Sequence, residues 1–386
     1  MPGKHVEGIA EKACRRCKDN SAVLVVRLEP LCRDCFNRYV QTKAIKRMET
    51  FRVRNSAPDQ QRKILLPVSF GVSSVSLLHI LDTHLKTQQA KTGRTGYSLV
   101  VFFVDTSSID EKSPNPELLK RLQESYPDHT YVSVALQDLV AHIPPGDPLL
   151  ELVPALGLEN TPTLERFSTL VNSLTSATAR ADVLSTLRTR LIVERAKLAG
   201  CEGILWGDST TKLAEKTLSE TAKGRGFSLP WQILDGESPF GIGFHYPLRD
   251  VLKKELASYV ELSDPSLSTF VHEGSTLATQ ASMSSKNTTI DDLMKQYFES
   301  VEENFPSIVA NVVRTTGKLE ASEVAQSDPR CSLCKMPVVQ GRFGIHGWGG
   351  DQQDGLLPAG ADTATGLCYG CTRSMPRSTV VSNGSS

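Results

Sequence analysis

Eight of the nine cysteines fall into four Cys-x-x-Cys pairs: Cys14/Cys17, Cys32/Cys35, Cys331/Cys334 and Cys368/Cys371. Two thiolates on one tight turn can both reach a tetrahedral ion at ~2.3 Å, and a second such turn closes the shell. The first two pairs are 14 residues apart, a zinc-ribbon spacing, whereas 33 residues separate the last two. Zinc is expected at both ends. A redox Cys-x-x-Cys is the alternative for the first cluster, although it usually stands alone, and an iron–sulfur cluster is the alternative for the second. A closed four-cysteine shell is structural, because its binding energy becomes folding energy for segments too short to bury a core. Cys201 stands alone in LAGCEGILW and reads as a small buried hydrophobe rather than a nucleophile.

A disulfide framework is not expected. The opening MPGKHVEGIAEKACRRC lacks the apolar core of a secretory signal, and no stretch approaches the ~18 apolar residues of a membrane helix. A cytosolic or nuclear protein follows. With 43 basic and 43 acidic residues the formal charge is zero, but Glu11 to Lys63 holds fourteen Lys/Arg against six Asp/Glu. The remainder is therefore acidic by eight. A basic module on an acidic body suits a polyanionic partner.

The elements that must position these groups follow from periodicity. Residues 1–55 read as a zinc ribbon plus a basic helix, with Phe36, Val40, Ala44, Met48 and Phe51 on one face. Residues 56–272 alternate strand candidates (KILLPVSF, YSLVVFFVD, TYVSVAL, GILWGDS) with helices expected at 73–86, 181–199 and 211–223. Apolar strands separated by helices predict an α/β, doubly wound parallel sheet. Ile143 to Thr163 is Pro-rich and reads as a long loop or insertion. FHYPLRDVLKKELASYVE reads as an entry turn and an amphipathic helix. Residues 273–330 form a Ser/Thr-rich linker and a helical segment from Asp291 to Thr315. A second ribbon with a Gly-rich insert spans 331–375, and a disordered tail spans 376–386.

One turn could cradle a phosphate. In LPVSFGVSSVSLLHIL an apolar strand runs into Ser69, Phe70, Gly71, Val72, Ser73 and Ser74, and a helix follows. These six positions resemble the Ser-Gly-Gly-x-Asp-Ser loop of the PP-loop ATP pyrophosphatases, with Phe70 in place of a glycine and Ser73 in place of the acid. GDSTTKLAEKTLSETAKGRG resembles the Gly-His-x-x-Asp-Asp-x-Ala-Glu-Thr-x-Leu stretch of PP-loop tRNA thiolases. Gly207, Ala214, Glu215 and Leu218 match. Asp208 replaces the His, and Thr211 and Lys212 replace the two Asp. With Cys-x-x-Cys pairs at both ends, the chain from Cys14 to Cys371 is similar to the cytoplasmic tRNA 2-thiolation family. Within that family it resembles the degenerate type of subunit rather than the active one.

This resemblance implies a HUP-type PP-loop fold whose cradle keeps its outline but has lost its catalysis. Ser69, Gly71, Ser73, Ser74 and Asp208 are the nucleotide-binding candidates. Phe70 should crowd the phosphate unless its side chain points away. Active relatives carry three further cysteines for sulfur transfer or an iron–sulfur cluster. The corresponding regions here, SLTSATARADVLSTLRTRLIVERAKLAG and YVELSDPSLSTF, have none. No iron–sulfur cluster and no catalytic residue are then expected. The family implies a heterodimer with a catalytic subunit of the protein 1 type and a ubiquitin-like thiocarboxylate carrier as sulfur source. It also implies 2-thiouridine at wobble position 34 of the cytosolic Lys, Glu and Gln tRNAs as the product. Phosphate contacts are expected from Arg15, Arg16, Arg33, Arg38, Lys43, Lys46, Arg47, Arg52 and Arg54. Two other readings stay open. In one the chain is an ATP-dependent thiolase by itself, and in the other a zinc-ribbon interaction protein that meets no RNA.

Overall fold

A computed structural model of the protein describes residues 12–56, 61–110, 113–153, 156, 161–272, 288–321, 328–338 and 366–375. Most of the expected Ser/Thr-rich linker, the Gly-rich insert and the tail lie outside these residues.

In chain order the elements are β1 (Leu24–Val26), β2 (Glu29–Leu31), α1 (Arg33–Arg47), β3 (Lys63–Pro67), α2 (Val72–Thr92), β4 (Ser98–Asp105), α3 (Glu117–Ser125) and β5 (Thr130–Ala135). Then come α4 (Leu139–His142), α5 (Pro148–Leu152), α6 (Thr163–Ser173), α7 (Ala177–Leu198), β6 (Gly203–Leu205), α8 (Thr210–Ala222), α9 (Leu229–Ile233), β7 (Gly236–Glu237) and β8 (Gly243–His245). The last are α10 (Lys253–Leu262), α11 (Ile290–Asn304), α12 (Pro306–Thr316) and α13 (Tyr369–Ser374).

The main sheet has the order β5-β4-β3-β6-β8-β7, with β3 flanked in parallel by β4 and β6. Only β7 runs antiparallel, at one edge. The expected doubly wound α/β sheet is therefore present. Its inner strands β3, β4 and β6 are apolar on both faces because both faces are covered. Along β4, Leu99, Val101 and Phe103 join one buried cluster, and Val100, Phe102 and Val104 join the other.

The same alternation sorts the two cysteine groups. Phe36, Val40, Cys14 and Cys32 share a core with α2 and one sheet face. Cys331, Cys334, Cys368 and Cys371 share a core with α7 on the other face. The chain thus carries one ribbon on each side of its sheet.

Several boundaries differ from the sequence reading: α1 stops at Arg47 before a short 3-10 turn that carries Phe51, and the loop expected from Ile143 to Thr163 holds α5. Helix α2 continues to Thr92 and stops at Gly93, whose φ of 72° suits the left-handed C-terminal position. The helix expected from Asp291 to Thr315 is two helices. Pro306 cannot continue the first because it lacks an amide proton, and it disfavours helical backbone at Phe305, where φ and ψ are −133° and 58°. The stretch read as an entry turn supplies β8, a strand too short to show a period.

Candidate functional site

The loop between β3 and α2 sits at the carboxyl end of the sheet's central parallel strand, where open α/β sheets bind ligands. Ser69 N–H donates to Ser74 Oγ at 3.3 Å, and Ser74 Oγ–H donates to the Gly71 carbonyl at 3.2 Å. Gly71 is the N-cap of α2 and offers no side chain to the first-turn amides. A Cβ on Gly207 would lie 3.2 Å from Cα of Ser74, so this glycine lets the end of β6 press against the start of α2. The structure therefore gathers Ser69, Gly71, Ser73 and Ser74 into one turn and sets Gly207 beside it.

Phe70 does not crowd this turn. Its φ is 56°, its side chain is fully buried, and its ring meets Phe103 edge-on at 5.1 Å. The left-handed backbone turns the ring into the core, away from the amides. Position 70 is where the resembled loop has glycine, and the positive φ explains that preference.

The second thiolase-like segment has been redirected inward. Asp208 sits 3.7 Å from Lys216, and Ser209 Oγ caps α8 by accepting from Lys212 N–H at 3.2 Å. Thr211 is buried and donates to Glu302 Oε2 at 2.7 Å, while Lys254 N–H donates to Glu302 Oε1 at 2.9 Å. Burial pushes the Glu302 carboxyl up, against the hydrogen bonds it accepts from Thr211 and Lys254. Lys212 Nζ is held by Glu215 at 2.9 Å. Nothing in the sequence signals that α11 closes over α8 in this way, because Glu302 lies 91 positions from Thr211.

Each cysteine quartet has its four sulfurs within 4.8 Å of one another. Cys17 and Cys32 are 3.7 Å apart, and Cys334 and Cys368 are 3.8 Å apart. Four thiolates at ~2.3 Å from one central ion have edges of about 3.8 Å, so the donor sets fit a single tetrahedral metal. A four-iron cube would hold the cysteines further apart. At Cys14 burial opposes the thiolate, but hydrogen bonds from the backbone of Cys17, Cys32 and Arg16 prevail and bring it down to about 6. At Cys331 the neighbouring thiols, Cys334 first, hold it well below the usual thiol range. Cys201 is buried before β6, at the opposite end of the sheet from the Ser69 loop.

The basic residues divide into two groups. Arg33 Nε donates to the Leu262 carbonyl at 2.6 Å, Lys43 Nζ to the Asp250 carbonyl at 2.7 Å, and Arg47 Nε to Asp250 Oδ2 at 2.8 Å. These bonds dock α1 onto α10 and the turn before it. Arg52 and Arg54 both pair with Glu49, and Arg16 pairs with Glu29. Arg15, Arg38 and Lys46 are exposed and have no acidic partner among the described residues. Tyr39, unremarked in the sequence, donates to Glu255 at 3.0 Å and lies under Lys43. A cleft of about 760 Å³ is lined by Thr50, Arg62 and Glu202, at the amino end of β3 and away from the loop.

Comparison with known proteins adds three findings. A sequence model of the family described as cytoplasmic tRNA 2-thiolation protein 2 matches residues 289–343. A protein of that name from Phaeosphaeria nodorum is 63% identical over 386 residues, covering 99% of this chain and 100% of its own. Another from Sclerotinia sclerotiorum is 46% identical over 357 residues, covering 90% of each chain. Among solved structures, the U34-tRNA thiolase NcsA from Methanococcus maripaludis, with its [4Fe-4S] cluster, superposes with a TM-score of 0.55. It is 13% identical and covers 85% of this chain and 93% of its own. At that identity the likeness establishes the PP-loop type of fold.

Proposed function

The chain belongs to the cytoplasmic tRNA 2-thiolation protein 2 family, and from that premise we propose that it is the non-catalytic, tRNA-holding subunit of a cytoplasmic wobble-uridine thiolase. The observation that carries this reading is the contrast at the Ser69 loop. It has the strand-to-helix form that would suit a phosphate, yet serine stands where an acid would organise a cation, and the chain's nine cysteines offer it no sulfur. Eight belong to the two metal-type quartets, and Cys201 is buried at the far end of the sheet. Sulfur transfer at the wobble uridine would then fall to a catalytic partner of the protein 1 type, supplied by a ubiquitin-like thiocarboxylate carrier.

Zinc suits both quartets, and its part is to fix the two ribbons. The N-terminal ribbon and α1 form one basic module, of which Arg15, Arg38 and Lys46 remain available to RNA phosphate. Arg33, Lys43 and Arg47 instead serve to place that module on α10. The test is tRNA retention by the metal-loaded chain across a salt series. Binding should weaken steeply with salt, and replacing Arg15, Arg38 and Lys46 together by alanine should reduce the log–log slope by about 3. An unaltered slope would move the RNA surface elsewhere, and no retention at all would contradict the reading.

A further inference from the structure

The hairpin of the N-terminal ribbon turns through Arg27 and Leu28, and both are left-handed, at φ of 47° and 77°. A two-residue hairpin turn of this kind is normally Asn-Gly, since side chains with a Cβ are disfavoured there. Leu28 is also 81% exposed, more than any other large apolar side chain among the described residues. A single exposed leucine is ordinary. One that occupies a strained turn position beside a wider apolar face is not.

That face follows from the register. Leu24, Val26 and Leu31 point into the core, so the alternation turns Val23, Val25 and Pro30 outward, with Val25 directly opposite Pro30. Val23 is exposed, and Val25 and Pro30 are half-buried. Arg15 is held beside the face, its backbone N–H donating to the Pro30 carbonyl at 2.9 Å and its side chain exposed, whereas Arg16 turns to the α1 side, 3.5 Å from Glu29 and over the Tyr39 ring. Arg27 Nε lies 3.8 Å from the buried carboxylate of Glu255, which ties the turn to α10 and leaves Leu28 projecting.

We propose that this outward hairpin face seats an unstacked base of a single-stranded RNA loop, with Leu28 as its wall and the exposed Arg15, which has no acidic partner among the described residues, meeting a flanking phosphate. The inference rests on the RNA-binding reading above and names the surface and the RNA feature it takes. Sequence-specific RNA recognition works on splayed bases laid against apolar or flat side chains, and small zinc modules are among the folds that do so. The unpaired charge of Arg15 at its edge favours a polyanion over a neutral protein surface, and the apolar floor favours an exposed base over paired duplex.

The test compares two probes on the full, metal-loaded chain: a tRNA with a wobble uridine, and a fully paired RNA duplex of similar length. Leu28→Gly should raise the melting temperature by relieving the turn and weaken tRNA binding about fivefold or more, while duplex binding holds. Leu28→Asn, which tolerates left-handed backbone without an apolar end, should behave likewise, and Leu28→Met should restore tRNA affinity. Wild-type tRNA affinity in both polar variants, or an equal loss on duplex, would overturn the proposal. So would a loss confined to binding of a protein partner. Failure of the unchanged chain to bind tRNA would instead refute the RNA reading beneath it.

Discussion

The rings of Phe70 and Phe103 meet edge-on with centroids 5.1 Å apart, although the backbone of Phe70 is left-handed. A left-handed turn position that glycine would fill without strain is held here by an aromatic side chain anchored in the core. A packing contact, rather than backbone freedom, holds the turn.

Phe70 should therefore reverse the usual order of substitutions. Phe70→Ala forfeits about 3–5 kcal/mol of ring packing and keeps the backbone strain. Phe70→Gly forfeits the same packing but recovers ~1 kcal/mol from the left-handed backbone, so glycine should be the more stable variant. Urea denaturation of both measures this, and an alanine variant at least as stable as the glycine variant would contradict it.

What the sequence made legible was local and periodic. The five-residue stripe from Phe36 to Phe51 is buried throughout, and the four strand candidates all enter the sheet, because periodicity and apolar runs are carried by neighbours. The two cysteine quartets were legible because spacing alone brings paired thiols together. Charge fate was not. Lys43 and Arg47 look like solvated cations in the sequence, and only the fold reveals Asp250, 203 positions from Arg47. The outward hairpin face was missed for the same reason: three-residue strands are too short to display a period.

Arg190 couples the C-terminal ribbon to the body of the fold. Its buried guanidinium donates to Asp147 Oδ2 at 2.5 Å and to the Ser332 carbonyl, between two metal-type cysteines, at 3.1 Å. Arg190→Met leaves a buried carboxylate with only Lys335 and the Leu149 N–H and should cost about 3–5 kcal/mol. It should also speed chelator extraction of one of two bound metal equivalents. Equal release rates from wild type and variant would show that the ribbon does not depend on this contact.

Acid should loosen the junction of α7 and α8. Arg225 grips Asp182 Oδ2 at 2.8 Å and Glu220 Oε2 at 2.7 Å. Burial raises the Glu220 carboxyl, but Arg225 outweighs it and holds the group down to about 2 from an ordinary 4.5. A depressed carboxyl gives stability that is complete above its unfolded value, so this contribution should drain away as pH falls from 4.5 toward 2. Glu302, whose carboxyl burial pushes up, acts in the opposite sense. Glu220→Gln should be less stable at neutral pH and show a shallower acid decline, because thiol protonation affects both proteins alike. Parallel pH profiles would contradict this assignment.

The most direct measurement incubates the purified, metal-loaded chain with ATP, a sulfide donor and unmodified tRNA, without any companion protein, and assays the nucleosides by mass spectrometry. The expected result is bound tRNA and no 2-thiouridine above background, with thiolation appearing only when the catalytic partner is added. Turnover to 2-thiouridine by this chain alone would contradict it.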